Sequence, residues 1–175
     1  MRCNKIVQIG RRQFLRGSGA AAVAGATGSA FAGQDAQAAQ SKARVDYPSQ
    51  KLANIADLED DQPVDITYPD ARSPGVLLKL GKPAQGGVGP DSDIVAFSTM
   101  CPHKGYPLFY STTDQSFNCP GHYSRFDPET GGLQIWGQAT QNLAQFALSV
   151  DDAGDIYAEG VDELIYGRTS NVLAG

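Results

Sequence analysis

Along the chain, short runs in which apolar residues recur at every second position alternate with clusters of turn-forming residues. Val64-Asp65-Ile66-Thr67-Tyr68 alternates apolar and polar, the period of a half-buried strand. Gly75-Val76-Leu77-Leu78-Lys79-Leu80 is almost continuously apolar and predicts a more buried strand, as does Asp93-Ile94-Val95-Ala96-Phe97-Ser98, which runs directly into Cys101. Between them, Gly81 to Pro90 has no apolar period and reads as a surface hairpin loop. Ser116-Phe117-Asn118 and Tyr123-Ser124-Arg125-Phe126 predict two further short strands, and Asp127 to Gly132 a turn. Phe146 to Val150 and Asp155 to Glu159, around a turn at Asp151 to Gly154, predict a closing hairpin. No stretch of ten or more residues holds a helical period, and Val161 to Gly175 is polar enough to lie on the surface or against a partner. The expected class is all-β.

Composition supports that class and divides the chain. Twenty Gly and ten Pro in 175 residues favour turns over a helical bundle. The formal charge of −5 hides an asymmetry: residues 1–38 carry Arg2, Lys5, Arg11, Arg12 and Arg16 against Asp35 alone, which leaves 9 Lys+Arg against 18 Asp+Glu in the remainder. An acidic body disfavours nucleic acid and anionic lipid, and suits a basic partner such as a small cationic electron carrier. Gly10-Arg11-Arg12-Gln13-Phe14-Leu15-Arg16 resembles a twin-arginine export signal. A run of small residues from Gly17 to Ala32 follows, with small-x-small sites at Ala30-Phe31-Ala32 and Ala36-Gln37-Ala38. That run is shorter and less apolar than the roughly 20 residues needed to cross a bilayer. Residues 1–38 are therefore expected to be a signal peptide, removed or retained as an anchor. The mature domain, 39–175, is expected in the periplasm with no transmembrane span.

The chemistry is concentrated at about 99–137, which reads as a small subdomain inserted into the β framework. The chain has three cysteines and two histidines; Cys3 lies in the leader, and the rest fall in Cys101-Pro102-His103 and Cys119-Pro120-Gly121-His122. Aromatics crowd the same segment: Tyr106, Phe109, Tyr110, Phe117, Tyr123, Phe126 and Trp136. Thiolate ligands select zinc, copper(I) or iron–sulfur clusters. Zinc sites with two Cys and two His more often pair like with like in each loop. Here each loop offers one of each, which suits a [2Fe-2S] cluster with both cysteines on one iron and both histidines on the other. A zinc site and a set of packed side chains without metal are the rivals. No histidine remains to act as a base and no Ser or Cys nucleophile has a recognisable local signature, so the chain is expected to carry no catalytic residues of its own. Gly86-Gly87-Val88-Gly89 lacks the Lys-Ser/Thr and helix that a phosphate-cradling loop needs.

Cys101-Pro102-His103-Lys104-Gly105 with Cys119-Pro120-Gly121-His122 resembles the Rieske family. Residues 136–142 and 159–168 are similar to the small subunits of arsenite oxidases. The resemblance implies an antiparallel β sandwich of three sheets with an inserted cluster-binding subdomain, and a Rieske [2Fe-2S] cluster held by Cys101, His103, Cys119 and His122. It implies a large molybdopterin partner subunit with its own iron–sulfur cluster, and electrons passing from arsenite oxidised there to a periplasmic cytochrome c or cupredoxin through His103 and His122 at an exposed tip. A Rieske subunit of a quinol-oxidising cytochrome bc-type complex and a Rieske ferredoxin remain as alternatives. Two departures from the family stand out. Tyr106 and Gly121 occupy the positions where many bc-type members carry a disulfide, so packing of Tyr106 must help hold the loops. Ser124 matches the family serine whose hydroxyl points at a bridging sulfide, but the tyrosine expected two residues on is Phe126. One donor fewer to cluster sulfur makes the reduced state less favourable, implying a potential below the bc-type proteins within the range of about −150 to +300 mV.

Overall fold

Consecutive side chains of a strand point to opposite faces, yet Val76, Leu77 and Leu78 are all buried, as are Ile94, Val95, Ala96 and Phe97. Strands of that kind must be covered on both sides. The computed structural model, which describes residues 46–172, shows how this is done. Strands β1 (Gln50–Asn54), β2 (Val64–Thr67), β3 (Pro74–Lys79), β4 (Ile94–Ser98), β5 (Phe109–Ser111), β6 (Ser116–Asn118), β7 (Arg125–Asp127), β8 (Leu133–Trp136), β9 (Phe146–Val150) and β10 (Asp155–Val161) form three antiparallel sheets. Their orders are β1-β10-β9, β2-β3-β4 and β5-β6-β7-β8. One 3₁₀ turn, Ile55–Asp57, is the single helical element among the described residues.

The β2-β3-β4 sheet contributes to two cores. Leu77, Ile94 and Ala96 pack with Tyr68, Phe146, Ile156, Ala158 and Ile165, on the side of β9 and β10. Val76, Leu78, Val95 and Phe97 pack with Phe117, Phe126 and Leu143, and this second core also contains Cys101 and Cys119. Burial on both faces is why β3 and β4 read as continuous apolar runs while β2, with Val64 and Ile66 half-buried between exposed neighbours, alternates. The all-β class and the three sheets agree with the expectation from sequence.

Several local expectations are refined or corrected. The segment Gly81 to Pro90 is the surface connection of the β3–β4 hairpin, as expected, but it is ordered by contacts the sequence did not suggest: Val88 bridges to Ile94, Ala84 N–H donates to Ser92 O (2.9 Å), and Gln85 N–H donates to Glu129 O (2.9 Å), tying it to the turn after β7. The strand expected from Tyr123 begins only at Arg125, because Tyr123 adopts a left-handed φ of 61° and belongs to a loop. Strands β1, β5 and β8 were not apparent from periodicity. The tail runs over the surface, as expected, and is anchored to its own domain by Ile165, buried in the core, and Arg168, paired with Asp70. The twin-arginine stretch, both candidate cleavage sites and Cys3 lie outside the described residues.

Gly75 is where the two-sided packing is tightest. A β-carbon built there would lie 2.7 Å from Phe146 Cε2 and 2.8 Å from the Phe97 carbonyl oxygen. The Gly75→Val variant should therefore lose about 1–3 kcal/mol or more of stability through overpacking. Urea unfolding followed by circular dichroism measures this, with the midpoint falling and the slope unchanged.

Candidate metal centre

Two loops with the same internal wiring meet at one end of the second core. In the first, after β4, Cys101 N–H donates to Tyr106 O (2.9 Å) and Gly105 N–H donates back to Cys101 O (2.8 Å). In the second, between β6 and β7, Cys119 N–H donates to Ser124 O (2.9 Å) and Tyr123 N–H donates to Cys119 O (3.1 Å). Both turns need a left-handed residue at the same place, filled by Gly105 (φ 67°) in one and Tyr123 (φ 61°) in the other. Each loop thus fixes its cysteine with two backbone bonds.

The four donors are layered by depth. Cys101 and Cys119 are 1% and 3% exposed and both are free thiols. His103 is half-buried and His122 exposed. The imidazole rings stand 4.7 Å apart at 75°. Burial pushes the Cys101 thiol up, and its hydrogen bond with Cys119 adds to this, while the N–H groups of His103 and Lys104 pull it down. A bare thiolate is disfavoured there, so deprotonation calls for a cation at the sulfurs.

The residues fit a binuclear group. His103 Nδ1 is buried and has no hydrogen-bond partner, an uncommon state for a buried ring nitrogen. The donors stand as a thiol pair inside and an imidazole pair outside. The donor set of a [2Fe-2S] cluster, two sulfurs on one iron and two nitrogens on the other, matches that division.

The remaining predicted positions surround the loops. A β-carbon on Gly121 would lie 2.8 Å from Tyr106 Cγ and Cδ2, so the Tyr106 ring rests directly on Gly121. The same ring meets His122 edge-on, at 5.7 Å and 90°. Ser124 is fully buried, and its Oγ accepts the N–H groups of Gln138 (3.0 Å) and Ala139 (2.9 Å). With both lone pairs occupied, the hydroxyl hydrogen is left to donate elsewhere. Phe126 is fully buried opposite Phe117 on β6. Sequence reasoning missed Gly137, whose φ of 95° brings its backbone against Ser124: a β-carbon there would lie 2.7 Å from Ser124 N and Tyr123 O. It also missed Tyr166, packed on Gly105. The isolated glycine after Trp136 was the one local signal for the first; the second contact joins residues far apart in sequence and had none.

Ser124→Ala should leave the amides of Gln138 and Ala139 without their acceptor and cost about 1–3 kcal/mol. Denaturant melts of Ser124→Ala and wild type should show this loss as a lower midpoint.

Three comparisons bear on this geometry. Residues 49–147, more than half of the chain, match the family described as "Rieske [2Fe-2S] domain". Residues 8–28 match the twin-arginine translocation signal sequence, which directs export to the periplasm. The iodate reductase subunit IdrB of Denitromonas iodatirespirans is 40% identical over 165 residues, covering 92% of this chain and 85% of that one. The subunit of the same name from Pseudomonas sp. (strain SCT) is 40% identical, over 73% of this chain and 67% of its own. Among solved structures, the soluble domain of the Rieske protein II (soxF) from Sulfolobus acidocaldarius shares the fold, with a TM-score of 0.63 at 24% identity over 70% of this chain and 82% of that one. With two buried thiols and two outer imidazoles on paired loops, and that match across both, the chain belongs to the Rieske family and its cofactor is a [2Fe-2S] cluster.

Proposed function

We propose that this chain is the electron-transfer small subunit of a periplasmic oxyanion oxidoreductase, with Cys101 and Cys119 holding one iron of its cluster and His103 and His122 the other. The observation that carries the ligand reading is the layering by depth: free thiols inside, imidazoles outside, and an orphaned His103 Nδ1 between them. A [2Fe-2S] cluster bound there accepts and releases single electrons. The chain's own residues hold it, shield its sulfur side and leave the His122 side open to a partner.

The surface around the loops suits burial by a second subunit. Tyr123 and Trp136 are 74% and 67% exposed, and Tyr106 is half exposed. Within 99–137 the charged residues are two bases, Lys104 and Arg125, and three acids, Asp114, Asp127 and Glu129, and Arg125 pairs with Asp114. The rest of the described residues carries 5 bases against 15 acids. A partner can cover the aromatic end without stripping water from many charges, while the acidic body repels anions and favours a basic carrier such as a cytochrome c or cupredoxin.

The catalytic partner in this reading is a large molybdopterin subunit with its own iron–sulfur cluster. Two relatives at 40% identity named as iodate reductase subunits favour iodate as its substrate. Arsenite oxidase is the second reading, favoured by the resemblance of residues 136–142 and 159–168 to its small subunits. A bc-type quinol complex is less well supported, because Tyr106 on Gly121 replaces the disulfide usual there.

Purification with the native partner, followed by analysis for iron, molybdenum and zinc, tests the assignment. The reduced sample should give the paramagnetic resonance of a Rieske cluster, and the complex should reduce iodate; arsenite oxidation instead would select the second reading. A silent reduced spectrum with stoichiometric zinc overturns the electron-transfer account. Within the chain, Phe126→Tyr should raise the reduction potential by roughly 40 mV, the equivalent of about 1 kcal/mol from one hydrogen bond favouring the reduced state. Protein-film voltammetry reads this, and an unchanged potential removes Phe126 as the cause of a low value.

A further inference from the structure

The segment after β10 is fastened at both ends. At its start, Asp162 accepts the N–H of Gln145 on its side chain (2.7 Å), and its own N–H donates to Gln145 O (3.1 Å). At its far end, the Arg168 guanidinium reaches Asp70 with two bonds, Nη1 to Oδ2 (2.7 Å) and Nη2 to Oδ1 (3.1 Å), and also donates to Asn171 O (3.1 Å). A forked pair of this kind is stronger and more directional than a single contact. It holds the Asp70 carboxyl well below the usual carboxylate range. Buried Asn171 closes the turn, accepting the N–H of Ile165 (2.9 Å) and donating to Glu163 O (2.8 Å) and Tyr47 Oη (3.1 Å). Ile165 itself is inserted in the core.

Between those anchors, Tyr166 lies on the first loop. A β-carbon on Gly105 would be 2.5 Å from Tyr166 Cδ1 and 2.7 Å from Cε1. Gly105 is the left-handed residue whose N–H closes that loop onto Cys101 O, and it lies two positions after His103. The contact reproduces on the first loop what Tyr106 makes on Gly121 of the second.

We propose that residues 162–172 form a strap whose Tyr166 ring positions the first ligand loop from the tail, while the Tyr106 ring on Gly121 packs that loop onto the second. Tyr166 is a positioning residue: it acts through Gly105 on the placement of Cys101 and His103. The inference rests on the proposed ligand set for its consequence at the cluster, and on packing alone for its consequence at the loop.

The test uses the exported chain with its cluster and native partner, as wild type, Tyr166→Phe, Tyr166→Ala, Asp70→Asn and the double variant Tyr166→Ala/Asp70→Asn. Asparagine keeps an acceptor for the Arg72 N–H and Ser73 hydroxyl that Asp70 Oδ1 now serves, while it breaks the fork to Arg168. Expected for Tyr166→Ala are faster amide exchange across 101–106, cluster bleaching by an iron chelator on the order of tenfold faster, as a loss of about 1.4 kcal/mol gives, and altered g-values in the loaded fraction. Tyr166→Phe should match wild type, since the ring rather than the hydroxyl makes the contact. Asp70→Asn should shift exchange and bleaching in the same direction, and the double variant should be no worse than the worse single, because both act through one element. Unchanged exchange across 101–106 in Tyr166→Ala, or additive effects in the double variant, overturns the strap. Absence of a Rieske signal from wild type would overturn the ligand assignment instead, with the exchange measurement still deciding the strap.

Discussion

One sheet buried on both faces sets the terms for everything else in this domain. Because β3 and β4 present apolar side chains to both sides, each side must be covered, and the cover on one side is the sheet that carries the Cys119 loop. Phe97 of β4 meets Phe117 of β6 edge-on at 5.5 Å, and Phe117 lies beside Phe126 across the ladder. Cys119 follows β6 directly and Cys101 follows β4 after two residues, so both thiols are delivered into this core. The sulfur side of the site is therefore as rigid as the domain interior. The imidazole side, with His122 exposed, is where rigidity has to be supplied by other means.

Those means are aromatic rings placed on glycines. Cys101 and Cys119 are free, so no disulfide ties the first loop to the second. The Tyr106 ring can reach the backbone of the second loop only because residue 121 has no β-carbon. The geometry is unforgiving in both directions: a side chain at 121 would displace the ring, and a smaller residue at 106 would leave His122 without its edge-on neighbour. A bridge of this type contributes by packing in the folded state rather than by restricting the unfolded chain, so it depends on the cluster and the loops being in place together.

What could be read in advance follows from the physics of each feature. The four donors were legible because Cys and His are scarce in this chain and fell in two short motifs. Strands β3 and β4 were legible because burial on both faces needs apolar residues at every position, and the β9–β10 hairpin because strong turn residues separate its strands. Strand β1 was not, since Gln50, Lys51 and Asn54 sit in a sheet edge where ladder bonds rather than apolar side chains define the element. Tyr123 looked like part of a strand by residue type, but the loop closing on Cys119 demands a left-handed residue there, and that tertiary requirement outweighs a local preference worth on the order of 1–2 kcal/mol. The tail looked polar because its anchors are polar: Arg168, Asn171 and Asp162 each make hydrogen bonds to the rest of the domain.

The resemblance from sequence is to small subunits of arsenite oxidases and two relatives at 40% identity are named as iodate reductase subunits, two reactions that run electrons in opposite directions. A single-electron carrier does not touch either oxyanion. What this chain can set is the energy of the added electron, through the buried donors around the sulfurs, and the identity of the surfaces that meet it, through an aromatic end of nearly balanced charge on a strongly acidic body. The amides of His103 and Lys104 face Cys101, the Ser124 oxygen already accepts two backbone N–H groups, and the Phe126 ring carries no donor. A Rieske scaffold is therefore compatible with a reductase or an oxidase, because the cluster's potential and the surface it presents, not any contact with substrate, are what such a chain sets.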